Sequence, residues 1–153
     1  MTDDSGKTTM AIGETDDPNA EIETYAAAAA ITKGDPVYLS ADGVVTKAAA
    51  AQDCIGIAMK TQATVNGPVP VLVRGRVKVA AGGAITAGKA VYGADSSQRV
   101  LMLTDVSVSQ AVNEGGSATY TFAVAVPFCQ KLGIALQTTT TAGDLLFIKV
   151  EKS

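Results

Sequence analysis

The chain has no histidine and no tryptophan, only three Phe and four Tyr, and two cysteines. Each shortage closes off a class of function. Without His the commonest general base and the commonest transition-metal ligand are missing, and no Ser-His-Asp set can be assembled. The acids are scattered over loops without metal-ligand spacing. The expectation is therefore a protein that is not an enzyme, with no catalytic residue, no metal and no cofactor. Few aromatics also argue against stacking on sugar rings. No apolar run approaches a membrane span, and no positively charged start leads into an apolar stretch, so neither a membrane helix nor a signal peptide is expected. A protein that stays where it is made usually keeps its thiols reduced. Cys54 and Cys129 are accordingly expected as small buried thiols rather than a disulfide, although their pairing is not forbidden by sequence.

Charge is modest at 18 % of residues, and it is unevenly spread. Residues 1–30 hold seven acids (Asp3, Asp4, Glu14, Asp16, Asp17, Glu21 and Glu23) against Lys7 alone, so this stretch carries -6 of a net -3 and the remainder carries +3. An acidic segment precedes a mildly basic body. Nucleic-acid binding requires a cationic footprint, so it is not expected. Residues 1–20 have only Met10 and Ile12 as apolar anchors, which is too little to offset the entropy of ordering, and they read as a flexible arm that could strap onto a partner.

What the chain has in quantity is repetition. Ile31-Thr32-Lys33-Gly34-Asp35-Pro36-Val37-Tyr38 returns as Ile85-Thr86-Ala87-Gly88-Lys89-Ala90-Val91-Tyr92 at an offset of 54, and Gly56-Ile57-Ala58 returns as Gly133-Ile134-Ala135 at an offset of 77. Val69, Val71 and Val73 match Leu146, Ile148 and Val150 at that second offset. A unit used twice to close a shared core is the expected meaning. Module one covers about residues 25–80 and module two about 81–153. The growth in offset corresponds to 23 extra residues in module two, expected as a β-hairpin inserted over about residues 100–126. With 153 residues, one domain over 21–153 is long enough to bury a core without staples.

The fold class expected is all-β, a compact β-barrel or β-sandwich built from two similar modules with an extended N-terminal arm. Its longest period-two signal runs from Val69 to Val79, with Val69, Val71, Val73, Val77 and Val79 on one face and Leu72, Arg74, Arg76 and Lys78 on the other. The first set reads as core. The second is a cationic stripe whose acidic partner would be a neighbour's arm or another protein, or else a solvated edge that discourages unwanted strand pairing. Leu145 and Phe147 likewise alternate out of phase with Leu146, Ile148 and Val150, so large apolar groups fall on a face that should meet water. Covering such groups is a common reason for subunits to associate. The candidate partner contacts are thus Met10, Ile12, Leu72, Arg74, Arg76, Lys78, Leu145 and Phe147.

One stretch imitates a phosphate-binding loop. Gly83 to Lys89 fits G-x-x-x-x-G-K, but Ala90 stands where a hydroxyl must hold magnesium, and Val91-Tyr92-Gly93 continues as strand rather than helix. The first module has Lys33-Gly34-Asp35-Pro36 in the same turn, with an acid in place of the lysine. Asp42 and Asp95, which follow matched strands, are read as turn formers rather than paired catalytic carboxylates.

Taken in order, the Ile-Thr-x-Gly-Asp-Pro-Val-Tyr turn, Gly-Ile-Ala, the Val-rich strand, the second turn, and the closing Gly133-Ile134-Ala135 with Ala142-Gly143-Asp144 leading into the last strand resemble the small capsid decoration, or cement, proteins of tailed viruses. The resemblance implies a β-domain on the outer surface of the virion, made in the host cytoplasm. It also implies a homotrimer that ties subunits of the major capsid protein together, without direct contact to nucleic acid or membrane. The rival reading is a β-fold binding module recognising a carbohydrate or a host surface.

Overall fold

The computed structural model describes residues 10–48, 53–95, 99–103, 106–113, 117–124 and 131–151. These form eleven strands and no helix: β1 (Glu21–Ala27), β2 (Pro36–Ala41), β3 (Val44–Lys47), β4 (Cys54–Ala58), β5 (Pro68–Ala81), β6 (Ala90–Asp95), β7 (Arg99–Met102), β8 (Val106–Asn113), β9 (Ser117–Val124), β10 (Gly133–Ala135) and β11 (Leu145–Glu151). Nine of them run in the order β1-β3-β2-β4-β5-β11-β10-β6-β7, and two further pairings, β1 with β5 and β5 with β7, close the sheet on itself twice. One five-stranded ring is β1-β3-β2-β4-β5, the other β5-β11-β10-β6-β7, and β5 belongs to both. Of the two architectures left open by the sequence, the barrel is the one formed.

The repeat recurs in the strand pairing. Ala26 pairs with Val44 in parallel, as Ala80 does with Arg99. Thr24 faces Pro70 as Lys78 faces Phe147, Val37 faces Gly56 as Val91 faces Gly133, and the lone bridge Ile31 to Gln62 recurs as Ile85 to Thr139. The first strand of module two is therefore the second half of β5, which takes the place that β1 has in module one.

Local chemistry explains why the same words recur. In the paired turns Gly34 and Gly88 hold φ values of 96° and 86°, and their N–H groups donate to Ala58 and Ala135 carbonyls, each at 2.8 Å. A β-turn with a left-handed third residue selects glycine there. The Gly-Ile-Ala motif has a different cause. A Cβ on Gly56 would overlap the Leu72 carbonyl oxygen, and one on Gly133 would overlap that of Lys149, so each glycine marks a place where two strand backbones touch.

The core is two clusters with β5 passing between them. Val37, Val45, Val69 and Val71 fill the first ring. Leu72, Val77, Val79, Val91, Val100, Leu132, Leu146, Ile148 and Val150 belong to the second cluster. Each such side chain contributes about 1.5–3 kcal/mol by leaving water. This corrects the placement of Leu72 on the solvent-facing stripe: it is fully buried, because the outside of the first ring at that point lies against the second cluster. Alternation in β5 marks two different interiors along one strand, and Leu72 sits where they meet.

The insertion also differs from its expected form. The stretch expected as one hairpin over about residues 100–126 is divided: β7 is a ring strand paired with β6, and β8 pairs with β9 from Val106–Val124 to Asn113–Ser117 as a separate two-stranded sheet. A two-stranded antiparallel pair is thus present, but its first strand begins after the ring is complete. Cys54 is buried, and Cys129 lies outside the described residues.

Candidate interaction surface

The outward face of the β5–β11 ladder gathers most of the residues singled out from sequence. Register places Arg74 opposite Glu151, Arg76 opposite Lys149, Lys78 opposite Phe147, and Ala80 opposite Leu145. Phe147 is half-buried between two cations, with the Arg76 guanidinium 5.0 Å and the Lys78 ammonium 5.3 Å from its ring centre. Both contacts are of cation–π type, worth about 0.5–1 kcal/mol each at exposed sites. Leu145 is 46 % exposed and Leu136, at the end of β10, 44 % exposed, so the face combines apolar groups with a cationic rim. Leu72 takes no part in it.

The acidic partner of the stripe is the chain's own N-terminal segment. The stretch expected as a flexible arm is, over residues 10–20, laid along the free edge of β5; residues 1–9 lie outside the described residues. Ala11 to Glu14 form a turn closed by Glu14 N–H to the Ala11 carbonyl at 3.2 Å, with Gly13 at φ 82°. Gly13 N–H then donates to the Lys78 carbonyl (2.8 Å), and Lys78 N–H donates to the Glu14 carbonyl (3.1 Å). Two residues opposite one, the first a left-handed glycine, is a G1 bulge. No larger residue fits at position 13, since a Cβ would lie 2.7 Å from both Gly34 N and Lys33 Cγ.

Side chains fasten the same segment. Arg76 Nε donates to Asp16 Oδ1 at 2.9 Å, and Nη2 bonds the other carboxylate oxygen. Lys33 Nζ lies 3.1 Å from Glu14 Oε1. The Asp16 hydrogen bond raises the Arg76 pKa further above its ordinary value. The Ala11 amide and then Lys33 hold the Glu14 carboxyl below its ordinary value. Met10 and Ile12 are half-buried in this segment. A shallow groove remains between Asp16, Pro18, Arg76, Leu136 and Lys149.

Other residues weighed from sequence are not brought together. Asp42 is exposed in the β2–β3 turn, and Asp95 ends β6. Gly88 and Lys89 lie in an exposed turn that leads into β6, so the imitation phosphate loop lacks its helix. Among the described residues no group of acids or cysteines has metal-holding spacing, and no helix is long and apolar enough to cross a membrane. Sequence reasoning missed Leu136, Lys149 and Asp16. The first two share the outward parity of Ile134 and Phe147 and were findable; Asp16 was not, because its partner is sixty positions away.

The fold and face define an all-β tandem barrel with a strapped edge and an outward apolar–cationic surface. Among solved structures it is similar to the head fiber gp8.5 N base of bacteriophage phi29, at 15 % identity and a TM-score of 0.55, covering 88 % of this chain and 96 % of that one. At that identity the likeness establishes a shared fold. No protein-family model and no curated protein matches the chain.

Proposed function

We propose that this chain is a structural protein of a tailed-virus head, seated on the outer surface of the shell, where it stabilises contacts between major capsid protein subunits as a decoration protein. The observation that carries the reading is the likeness, over nearly the whole of both chains, to the base of a phage head fiber. It is joined by the order of turn and strand motifs that resembles decoration proteins.

The physical mechanism is burial of a partly apolar, cationic face against the shell. Leu136, Leu145 and Phe147 supply area, while Lys78, Arg74 and Lys149 supply a rim that favours an acidic counterpart and fixes orientation. A protein that binds the assembled shell and not its dispersed subunits stabilises the shell by mass action. Self-association as a homotrimer would multiply each contact and raise residence time through avidity.

The test is co-sedimentation of the purified chain with empty heads of the phage that encodes it, followed by thermal challenge of the heads. Bound protein and a raised disruption temperature are expected. Failure to sediment at micromolar protein, with binding on a glycan array, would replace this reading with a carbohydrate-recognition module. Light scattering of the free protein decides the trimer.

A further inference from the structure

The two rings differ at one equivalent place: among the described residues, the edge that the N-terminal segment covers in module two is uncovered in module one. Lys78 lies across the ladder from Phe147 and turns its N–H and C=O outward to Glu14 and Gly13. The residue 54 positions earlier is Thr24, which lies across the ladder from Pro70 in the same register. Pro70 has no N–H to donate, and it is tolerated there because this pair exchanges no hydrogen bonds. The Thr24 N–H and C=O therefore point away from β5, as those of Lys78 do. β3 reaches β1 only at Ala26 and Ala27, and among the described residues nothing receives the Thr24 backbone groups. Residues Glu21 to Thr24 are all exposed, with Ile22 at 49 %.

The side chains say what kind of strand would fit. In module two the covering segment is acidic and is held by Arg76 and Lys33. The positions equivalent to these cations are Ile22 and Ala87, and the open edge instead presents the exposed Glu21, 3.9 Å from Arg74, and the exposed Glu23, which accepts from the Tyr25 hydroxyl. An acidic segment like the chain's own is repelled there, which also argues against a second copy. From the duplicated register and this reversal of charge we infer that β1 is a strand-acceptor edge. It takes, by β-augmentation, an extended segment of a partner protein that carries lysine or arginine beside apolar residues. Main-chain bonds to Thr24 supply register, Ile22 supplies an apolar contact, and Glu21 and Glu23 select the charge. The inference rests on the head-surface reading only for the source of the strand, a protein of the shell.

The experiment is amide hydrogen exchange of the full chain, read at Ile22 and Thr24. The probes are two synthetic eight-residue peptides of alternating Val and Thr, one flanked by Lys and one by Glu. Slowing of both amides severalfold by the Lys peptide and not by the Glu peptide is expected. Thr24→Pro removes the outward donor without touching the ladder to β5, and should abolish the slowing at Ile22. Glu21→Lys with Glu23→Lys should reverse the preference between peptides without altering the backbone. Equal slowing by both peptides, slowing by neither, or slowing at Ile22 that survives Thr24→Pro overturns the acceptor edge. With heads as the probe, Thr24→Pro that sediments as well as wild type overturns the edge as the shell contact and leaves head attachment standing. Wild type that fails to sediment overturns head attachment, while the peptides still decide the edge.

Discussion

Arg76 and Asp16 form a bidentate pair across sixty positions of sequence, with the guanidinium Nε donating to Asp16 Oδ1 at 2.9 Å. Two parallel bonds fix orientation as well as distance, so this pair is the fastener of the N-terminal segment to β5. Both side chains are 44 % exposed, and the pair therefore contributes under about 1 kcal/mol to global stability. Its local effect is larger. Asp16→Ala should leave the melting temperature within a few degrees of wild type, yet raise amide exchange at Gly13 and Lys78 several-fold. Raised salt should do the same to wild type. Unchanged exchange at both amides would show that the backbone bulge, and not the ion pair, holds the segment.

Gly56 and Gly133 give a sharper stability test because the module repeat supplies the control. A Cβ at either would meet a strand carbonyl, and overpacking of that kind costs about 1–3 kcal/mol. Gly88 has φ 86° but open space around it, so Gly88→Ala pays only the left-handed penalty, about 1–2 kcal/mol. In urea unfolding, Gly56→Ala and Gly133→Ala should lower the midpoint by similar amounts. Combining Gly88→Ala with Gly133→Ala should be close to additive if the strain at 88 is local. A tolerated Gly133→Ala beside a severe Gly56→Ala would mean that the two ladders are not equivalent.

How much of this was legible in the sequence depends on the range of the cause. Gly34, Gly56, Gly88 and Gly133 answer to neighbours within a turn or a single ladder, and their repetition exposed the duplication directly. Asn66 and Gly143 stand 77 positions apart in the same left-handed conformation, at φ 65° and 94°. That equivalence was hidden because asparagine and glycine solve one steric problem with different letters. Leu72 was misplaced because alternation was read as one interior, whereas β5 borders two. The division between β7 and β8 was missed because period-two patterning continues across it and carries no mark of which partner each half takes. The docking of the acidic segment on its own body depends on contacts between residues 13–17 and 75–78, which local composition does not encode; the same composition read as a loose arm.

Asp35 introduces a dependence on pH. Its carboxylate is buried at 1 % exposure. Oδ2 accepts from Thr32 N–H at 2.8 Å, and among the described residues Oδ1 has no hydrogen-bond partner. Burial raises its pKa above the ordinary 3.8, against the opposing pull of the Thr32 amide and Lys47. A raised carboxyl pKa means that the folded state binds its proton more readily than the unfolded state. The stabilisation from that proton is complete below about 3.8 and is lost as pH rises through the folded value. Asp35→Asn keeps an acceptor for Thr32 and has no charge to bury. Thermal melts from about pH 3.5 to 7 should show the variant gaining on wild type as pH rises. A constant difference across that range would mean that Asp35 titrates alike in both states.

Phe147 links stability of the face to its proposed use. Its ring is the platform on which Arg76 and Lys78 lie, and aromatic anchors at the centre of an interface carry a large share of binding energy. Phe147→Ala removes the platform but leaves Leu146, Ile148 and Val150, the buried set of β11, in place. The fold should survive with a modest loss in melting temperature. Affinity for heads should fall about tenfold to a hundredfold, in keeping with a loss of about 1.4–2.7 kcal/mol at an anchor. Leu145→Glu should act similarly, since it places a charge at an exposed apolar position of the same face without disturbing the interior. If both variants sediment with heads as wild type does, the shell contact lies elsewhere on the barrels, and the outward face of β5 and β11 is merely a solvated surface.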